Sequence, residues 1–286
     1  MRPAVCIALA AAAVVAGTVE NAAASELIDR NASRVSLRVN GSGHALLTYA
    51  TRGGVRRVHA WGAINARPST YGAQQASFRL HYRGKGFRGG TCLPYDGPAL
   101  AWLLRACKAP DGSYWAVQSW QRLKPNFGGL RAAWELRLSH WSGPVAQLSI
   151  RLDWSYRRFD HLYGTYTYAG KGVFGFRSTS SGSPLDRYGR NIYVDTLGSR
   201  YGGGWRRENS FLSHRPNGRF CYGFYPHGNR PHGRGTRYRA TVIGPGVTPD
   251  VTWEAPALGA FDAALEQAAN AEQRRLFAGS RVCKVR

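Results

Sequence analysis

The chain has 286 residues, 43% of them hydrophobic, and carries 39 Lys and Arg against 16 Asp and Glu, a formal net charge of +23. That apolar content excludes a disordered polyelectrolyte, and the length suffices for a sizeable core. The only lysines are Lys85, Lys108, Lys124, Lys171 and Lys284, so arginine supplies nearly all the positive charge. A GC-rich genome favours Arg over Lys but does not explain the shortage of carboxylates. The imbalance therefore points to polyanions: wall teichoic acid, acidic polysaccharide, nucleic acid or anionic lipid.

Met1-Arg2 precedes an apolar run from Ala4 to about Val19, and Ala22-Ala23-Ala24 supplies small residues where a signal peptidase reads. The expectation is a secretory signal peptide over residues 1–24, a mature chain from Ser25 and a secreted, extracellular location. Cys6 lies inside the apolar run, so a lipid anchor is not expected, and no later stretch has the length of a membrane span. Removal of Cys6 leaves Cys92, Cys107, Cys221 and Cys283. An even number in an exported chain reads as two disulfides, with Cys92–Cys107 and Cys221–Cys283 the preferred pairing.

From Ser25 onward the pattern is one of short strands. Val35–Asn40, His44–Thr51 and Val55–Trp61 alternate apolar and polar residues around Gly-rich turns, a three-stranded meander. Ala76–Tyr82 is a further strand. Pro98–Ala106 reads as a short helix, and Tyr114–Arg122 returns to strand. Trp134–His140 and Leu148–Tyr156 flank Ser142-Gly143-Pro144 and read as a hairpin with one buried and one wet face. The register that sets Glu135 opposite Arg151 is preferred. The other, with Glu135 opposite Asp153 and Cβ atoms about 5 Å apart, has the spacing of a retaining glycosidase pair. His161–Tyr168 with Val173–Arg177, then Asn191–Leu197, Arg219–Tyr225, Thr236–Ile243 and Val251–Glu254, complete the strands. Leu258–Gly279 is a helix with Leu258, Phe261, Leu265, Ala268 and Leu276 on one face. The expected fold is one all-β antiparallel domain over 25–286, a sandwich or distorted barrel ending in this amphipathic helix.

Candidate chemistry concentrates in Leu185–Gly228, where a Gly-rich and Arg-rich connection joins two strands. Asp195, Glu208 and His214 are the candidate catalytic groups of a hydrolase, although Ser210 lacks a nucleophile elbow. Arg187, Arg190, Trp205, Arg206, Arg207, Arg230 and Arg234 are candidate ligand-binding residues, arginines for anionic groups and the indole for sugar rings. His227 and His232 sit in a Gly/Pro loop that suits a metal poorly, so no metal and no cofactor is expected. No RNA-recognition, helix-turn-helix or zinc-finger pattern occurs, so sequence-specific nucleic-acid binding is not expected. The preferred expectation is a non-catalytic protein binding acidic extracellular polymer or cell-wall glycan. The alternative is a secreted hydrolase of glycan or ester bonds.

Overall fold

Alternating side chains dictate strands that cover a core with one face, and such strands fill most of the chain. The computed structural model describes residues 25–66, 76–123, 133–155, 159–173, 192–199, 202–207, 218–224, 234–259, 261–276 and 278. In order the strands are β1 Glu26–Arg30, β2 Ser33–Val39, β3 Ala45–Thr51, β4 Gly54–Gly62, β5 Phe78–Tyr82, β6 Leu103–Lys108, β7 Tyr114–Arg122 and β8 Ala133–Trp141. There follow β9 Gln147–Ser155, β10 Phe159–Tyr168, β11 Lys171–Gly172, β12 Ile192–Ser199, β13 Gly202–Arg207, β14 Arg219–Phe224, β15 Arg234–Val242, β16 Val251–Pro256 and the helix α1 Ala263–Leu276. The fold is all-β and antiparallel, sandwich-like rather than a closed barrel, with a C-terminal helix.

The strands form four sheets. The meander β2-β3-β4-β5 packs on the sheet β1-β8-β7-β6, and Val35, Leu37, Leu47, Val58, Trp115, Val117, Leu136 and Leu138 fill the space between them. The sheet β13-β12-β15-β16 packs likewise on β9, β10, β14 and β11 over Ile150, Leu162, Tyr166, Val194, Phe220, Tyr238, Ala240 and Val242. The two sandwiches meet back to back. Trp120 of β7 and Tyr193 of β12 come within 5.3 Å between ring centroids, with Ile243 and Trp102 beside them. The middle two of these four layers are therefore largely covered on both faces, although Trp134, Leu103 and Leu104 remain exposed.

Asp250, in the turn between β15 and β16, is the principal link across this seam. Its carboxylate accepts hydrogen bonds from the Ser25 hydroxyl, from Trp120 Nε1 at 2.7 Å and from the Gly244 amide at 3.0 Å. The Gln118 side chain pairs with its backbone in both directions, at 2.9 Å each. Arg137 Nε lies 3.7 Å from the same carboxylate and, together with Nη2, donates to Glu135 at 3.1 and 2.8 Å. Burial raises the Asp250 pKa, opposed by Arg137 and by the hydrogen bonds from Ser25, Gly244 and Trp120.

Several expectations are corrected here. The hairpin of Trp134–His140 with Leu148–Tyr156 does not form: β8 pairs with β1 and β7, while β9 pairs with β10. Ser142-Gly143-Pro144 carries the chain from one sandwich to the other, so neither register of Glu135 with Asp153 or Arg151 exists. Glu135 is fully buried, because its face of β8 meets the second sandwich instead of water. Pro98–Ala106 is not helical. Trp102 has φ +58°, which stops a helix, and Leu103–Lys108 is a strand paired with β7. The Gly-rich connection contains β13, set against β12.

The terminal helix is shorter than expected and turned on its axis. Asp262 caps it, accepting from the Ala264 and Leu265 amides. Ala269 and Gln273 face inward, while Phe261 and Leu265 are exposed. The disulfide Cys92–Cys107 is present, with Cα atoms 5.0 Å apart. Cys221 is disulfide-bonded, and Cys283 lies outside the described residues.

Two predictions follow from the seam and its margin. Asp250→Asn leaves one acceptor atom where two served several donors, and should lower stability by about 1–3 kcal/mol. Combined with Trp120→Phe it should cost less than the sum of the two single changes, because both remove the same hydrogen bond. Additive denaturation midpoints would show that this bond contributes nothing. The second concerns Glu26, whose pKa burial pushes from 4.5 up to about 7 against the pull of Arg137. A carboxyl with a raised folded pKa stabilises while protonated, so its contribution is full below pH 4.5 and fades as pH rises through 7. Glu26→Gln should flatten the loss of Tm across that window, and an unchanged slope would assign the loss to another group.

Candidate functional site

Strand register alone places Asp195 between two arginines. It lies opposite Arg207 of β13 and Arg239 of β15. Arg207 Nε donates to one carboxylate oxygen at 2.6 Å and an Arg239 terminal nitrogen donates to the other at 3.1 Å. The Arg239 guanidinium lies 4.2 Å from the Trp205 ring centroid and 4.7 Å from that of Trp102, and Arg207 lies 4.4 Å from that of Tyr193. Trp102 belongs to the first sandwich, so this cluster is part of the seam.

This geometry bears directly on the expected site. Asp195 is 1% exposed and both of its oxygens are engaged by guanidinium groups, which leaves neither for proton transfer to a substrate. Arg207 is buried beside it, Trp205 and Arg206 are half-buried, and Arg234 opens β15 opposite Ser199. Arg187, Arg190, Glu208, His214 and Arg230 lie outside the described residues. The described part of the segment thus acts as a cross-sandwich clamp, held by register and by aromatic faces stacked on cations.

A buried Ser–His contact elsewhere has the atoms of a nucleophile and base but not their order. Ser113 Oγ lies 2.9 Å from His140 Nε2 and donates to Asp111 at 2.6 Å, while His140 Nδ1 donates to the Gly62 carbonyl at 3.0 Å. A hydrolytic triad needs the carboxylate on the imidazole, whereas here it holds the serine. Burial lowers the His140 pKa, with the Gly62 carbonyl and Asp111 pulling the other way. Ser113 and His140 are both buried, and the His140 ring stacks on Trp115 at 3.9 Å. The trio locks the end of the first sandwich.

The outer face of β2–β5 is different in kind. Between Asp29 and Asp96 the sequence contains no carboxylate, whereas Arg34, Arg38, Arg52, Arg56, Arg57, Arg79, Arg83, Lys85 and Arg88 are all exposed. Among the described residues none of these nine has an ion-pair partner. The long gap between carboxylates is legible in the sequence, and a search for catalytic residue types passes over it.

Aromatic and imidazole rings are set among these cations. The Arg38 guanidinium lies 5.5 Å from the Phe87 ring centroid, and Trp61 stacks near His44 and His59. His59 Nδ1 donates to the Lys85 carbonyl at 3.1 Å, so its Nε2 accepts from His44 Nδ1 at 3.0 Å. Burial and then the neighbouring His59 lower the His44 pKa. This chain of bonds ties the loop bearing Lys85 and Phe87 to β3 and β4. This face is therefore cationic and partly aromatic, with its loop held to the sheet.

Asp195→Asn would leave two buried guanidinium groups sharing one neutral acceptor, and should cost about 3–5 kcal/mol, read as a large fall in denaturation midpoint. A midpoint within error of wild type would show that the clamp bears no load.

Among the described residues no three His, Cys, Asp or Glu side chains converge to hold a metal, and no helix is long and apolar enough to cross a membrane. No described protein family, curated protein or solved structure matches this chain, so what it is rests on its own residues.

Proposed function

We propose that this chain is a non-catalytic extracellular protein that binds acidic polymers, with the outer face of β2–β5 as its platform. The observation that carries the reading is the unneutralised arginine face of that sheet. Surface charge is normally interspersed in sign, and uncompensated positive charge on one rigid face raises the local concentration of anions. The internal seam leaves this imbalance intact, because Glu135, Asp195 and Asp250 are buried against Arg137, Arg207 and Arg239. Those carboxylates do not offset the surface cations. The apolar leader before Ser25 and the Cys92–Cys107 disulfide support an exported, oxidising setting.

The test is salt-dependent retention on heparin and on teichoic acid. Binding driven by release of counterions falls steeply between about 50 and 200 mM salt. Replacing Arg38, Arg57 or Arg79 by Gln should each shallow the log–log slope by about 1. Retention unchanged across that range would overturn the reading.

A further inference from the structure

Within the basic face, one place is shaped as well as charged. Val55, Arg56, Arg57, Tyr82 and Arg83 line a hollow of about 400 Å³ where β4 meets the end of β5. We propose that it is the subsite for a phosphorylated sugar or polyol unit, the repeat of a phosphodiester-linked polymer. This rests on the polyanion-binding reading above and adds the chemical class and the place.

The backbone builds the site. The Arg83 amide donates to the Arg57 carbonyl at 2.8 Å, which holds the two residues side by side across β4 and the end of β5. Arg83 itself has φ +82°, a left-handed conformation that costs a non-glycine residue free energy and persists where the surroundings enforce it. Gly84 follows at φ +67°, and a Cβ there would sit 3.0 Å from the Arg57 Cβ and 3.1 Å from the Leu46 side chain. The chain is thus turned tightly against β4 immediately after placing Arg83. Val55, Arg57 and Arg83 share the outer face of the sheet, while Arg56, on the alternate face with Tyr82, borders the hollow from the other side of the strand.

The chemistry follows from the lining. Guanidinium forks bind phosphoryl oxygens in pairs, and the adjacent forks of Arg57 and Arg83 suit a tetrahedral group with several oxygens better than a planar carboxylate with two. Tyr82 is 53% exposed, and burial followed by the nearby Glu26 and Asp29 raises its pKa, so it remains an O–H donor. Glu26 and Asp29 belong to β1 and do not line the hollow; Asp29 is hydrogen-bonded to Tyr49. A volume near 400 Å³ lies in the range of small-molecule sites and exceeds what a lone phosphate fills. Val55 and the Tyr82 ring supply an apolar wall for the carbons of the attached unit.

The experiment compares two charge-matched double variants of the full chain on three polymers. Arg57→Gln with Arg83→Gln alters the hollow, and Arg38→Gln with Arg79→Gln removes equal charge from the same face. On poly(glycerol phosphate) the hollow pair should lose at least tenfold more affinity than the control pair. On heparin and polygalacturonate the two pairs should lose equally. Equal losses on all three polymers would overturn the subsite and leave the polyanion reading standing, whereas wild-type protein that binds none of them would overturn both. Arg83→Gly provides a separate handle. It should keep or raise the melting temperature, since glycine relieves the left-handed strain, while phosphopolymer affinity falls. A stabilised variant with full affinity would also overturn the proposal.

Discussion

The structure depends on a carboxylate that water cannot reach. Asp250 lies at the meeting of two sandwiches and is held by Ser25, Trp120 and Gly244, with Arg137 on its flank. Taking a charge out of water costs several kcal/mol unless its lone pairs are satisfied. Here they are satisfied only when the start of β1, the middle of β7 and the turn before β16 are all in place. A misdocked arrangement would strand the same charge, so the interaction acts more through the exclusion of alternatives than through net stability. Glu135 extends the network: burial works to raise its pKa, and Arg137, Arg122 and Arg30 together outweigh that and hold it low.

The clamp around Asp195 applies the same logic on the other side of the seam. Aromatic faces from Trp205, Trp102 and Tyr193 lie against the arginines that pair with it. A seam of charges and indoles is directional, whereas an apolar seam would tolerate sliding of one sheet over the next. Rigid stacking also fixes the outer sheet face, because that face is only as fixed as the layers beneath it.

The seam also separates the two uses of arginine in this chain. Arg137, Arg207 and Arg239 are interior, each matched to a carboxylate. Those of β2–β5 are exterior and unmatched. A formal charge counted over the whole sequence mixes the two populations. The outward field comes from the exposed cations, and those of β2–β5 are concentrated on one outer layer and anchored there by the His44–His59 contact and the tight turn at Arg83-Gly84.

Residue order by itself determined the strand content, the antiparallel class and the local pair Cys92–Cys107. Those follow from period-two alternation, turn residues and short-range spacing. It also contained the carboxylate-free run from Asp29 to Asp96, a one-dimensional fact with a two-dimensional consequence. Alternation reports only which face of a strand covers its own core, and says nothing of what meets the other face. Glu135, Arg137 and Asp195 sit on polar faces that look wet in the sequence and are buried, because a second sandwich takes the place of solvent. Strand partnership was equally hidden. The strands on either side of Ser142-Gly143-Pro144 alternate in the same way as a hairpin, yet belong to different sandwiches, since identical apolar faces pair equally well with several neighbours. The helix shows the same limit: Leu265 fits an apolar stripe, but the sheet it meets accepts Ala269 and Gln273. Only the tertiary structure decided these points, because burial of a polar face depends on long-range docking, and docking here is chosen by a few buried charges whose partners lie up to 225 residues away.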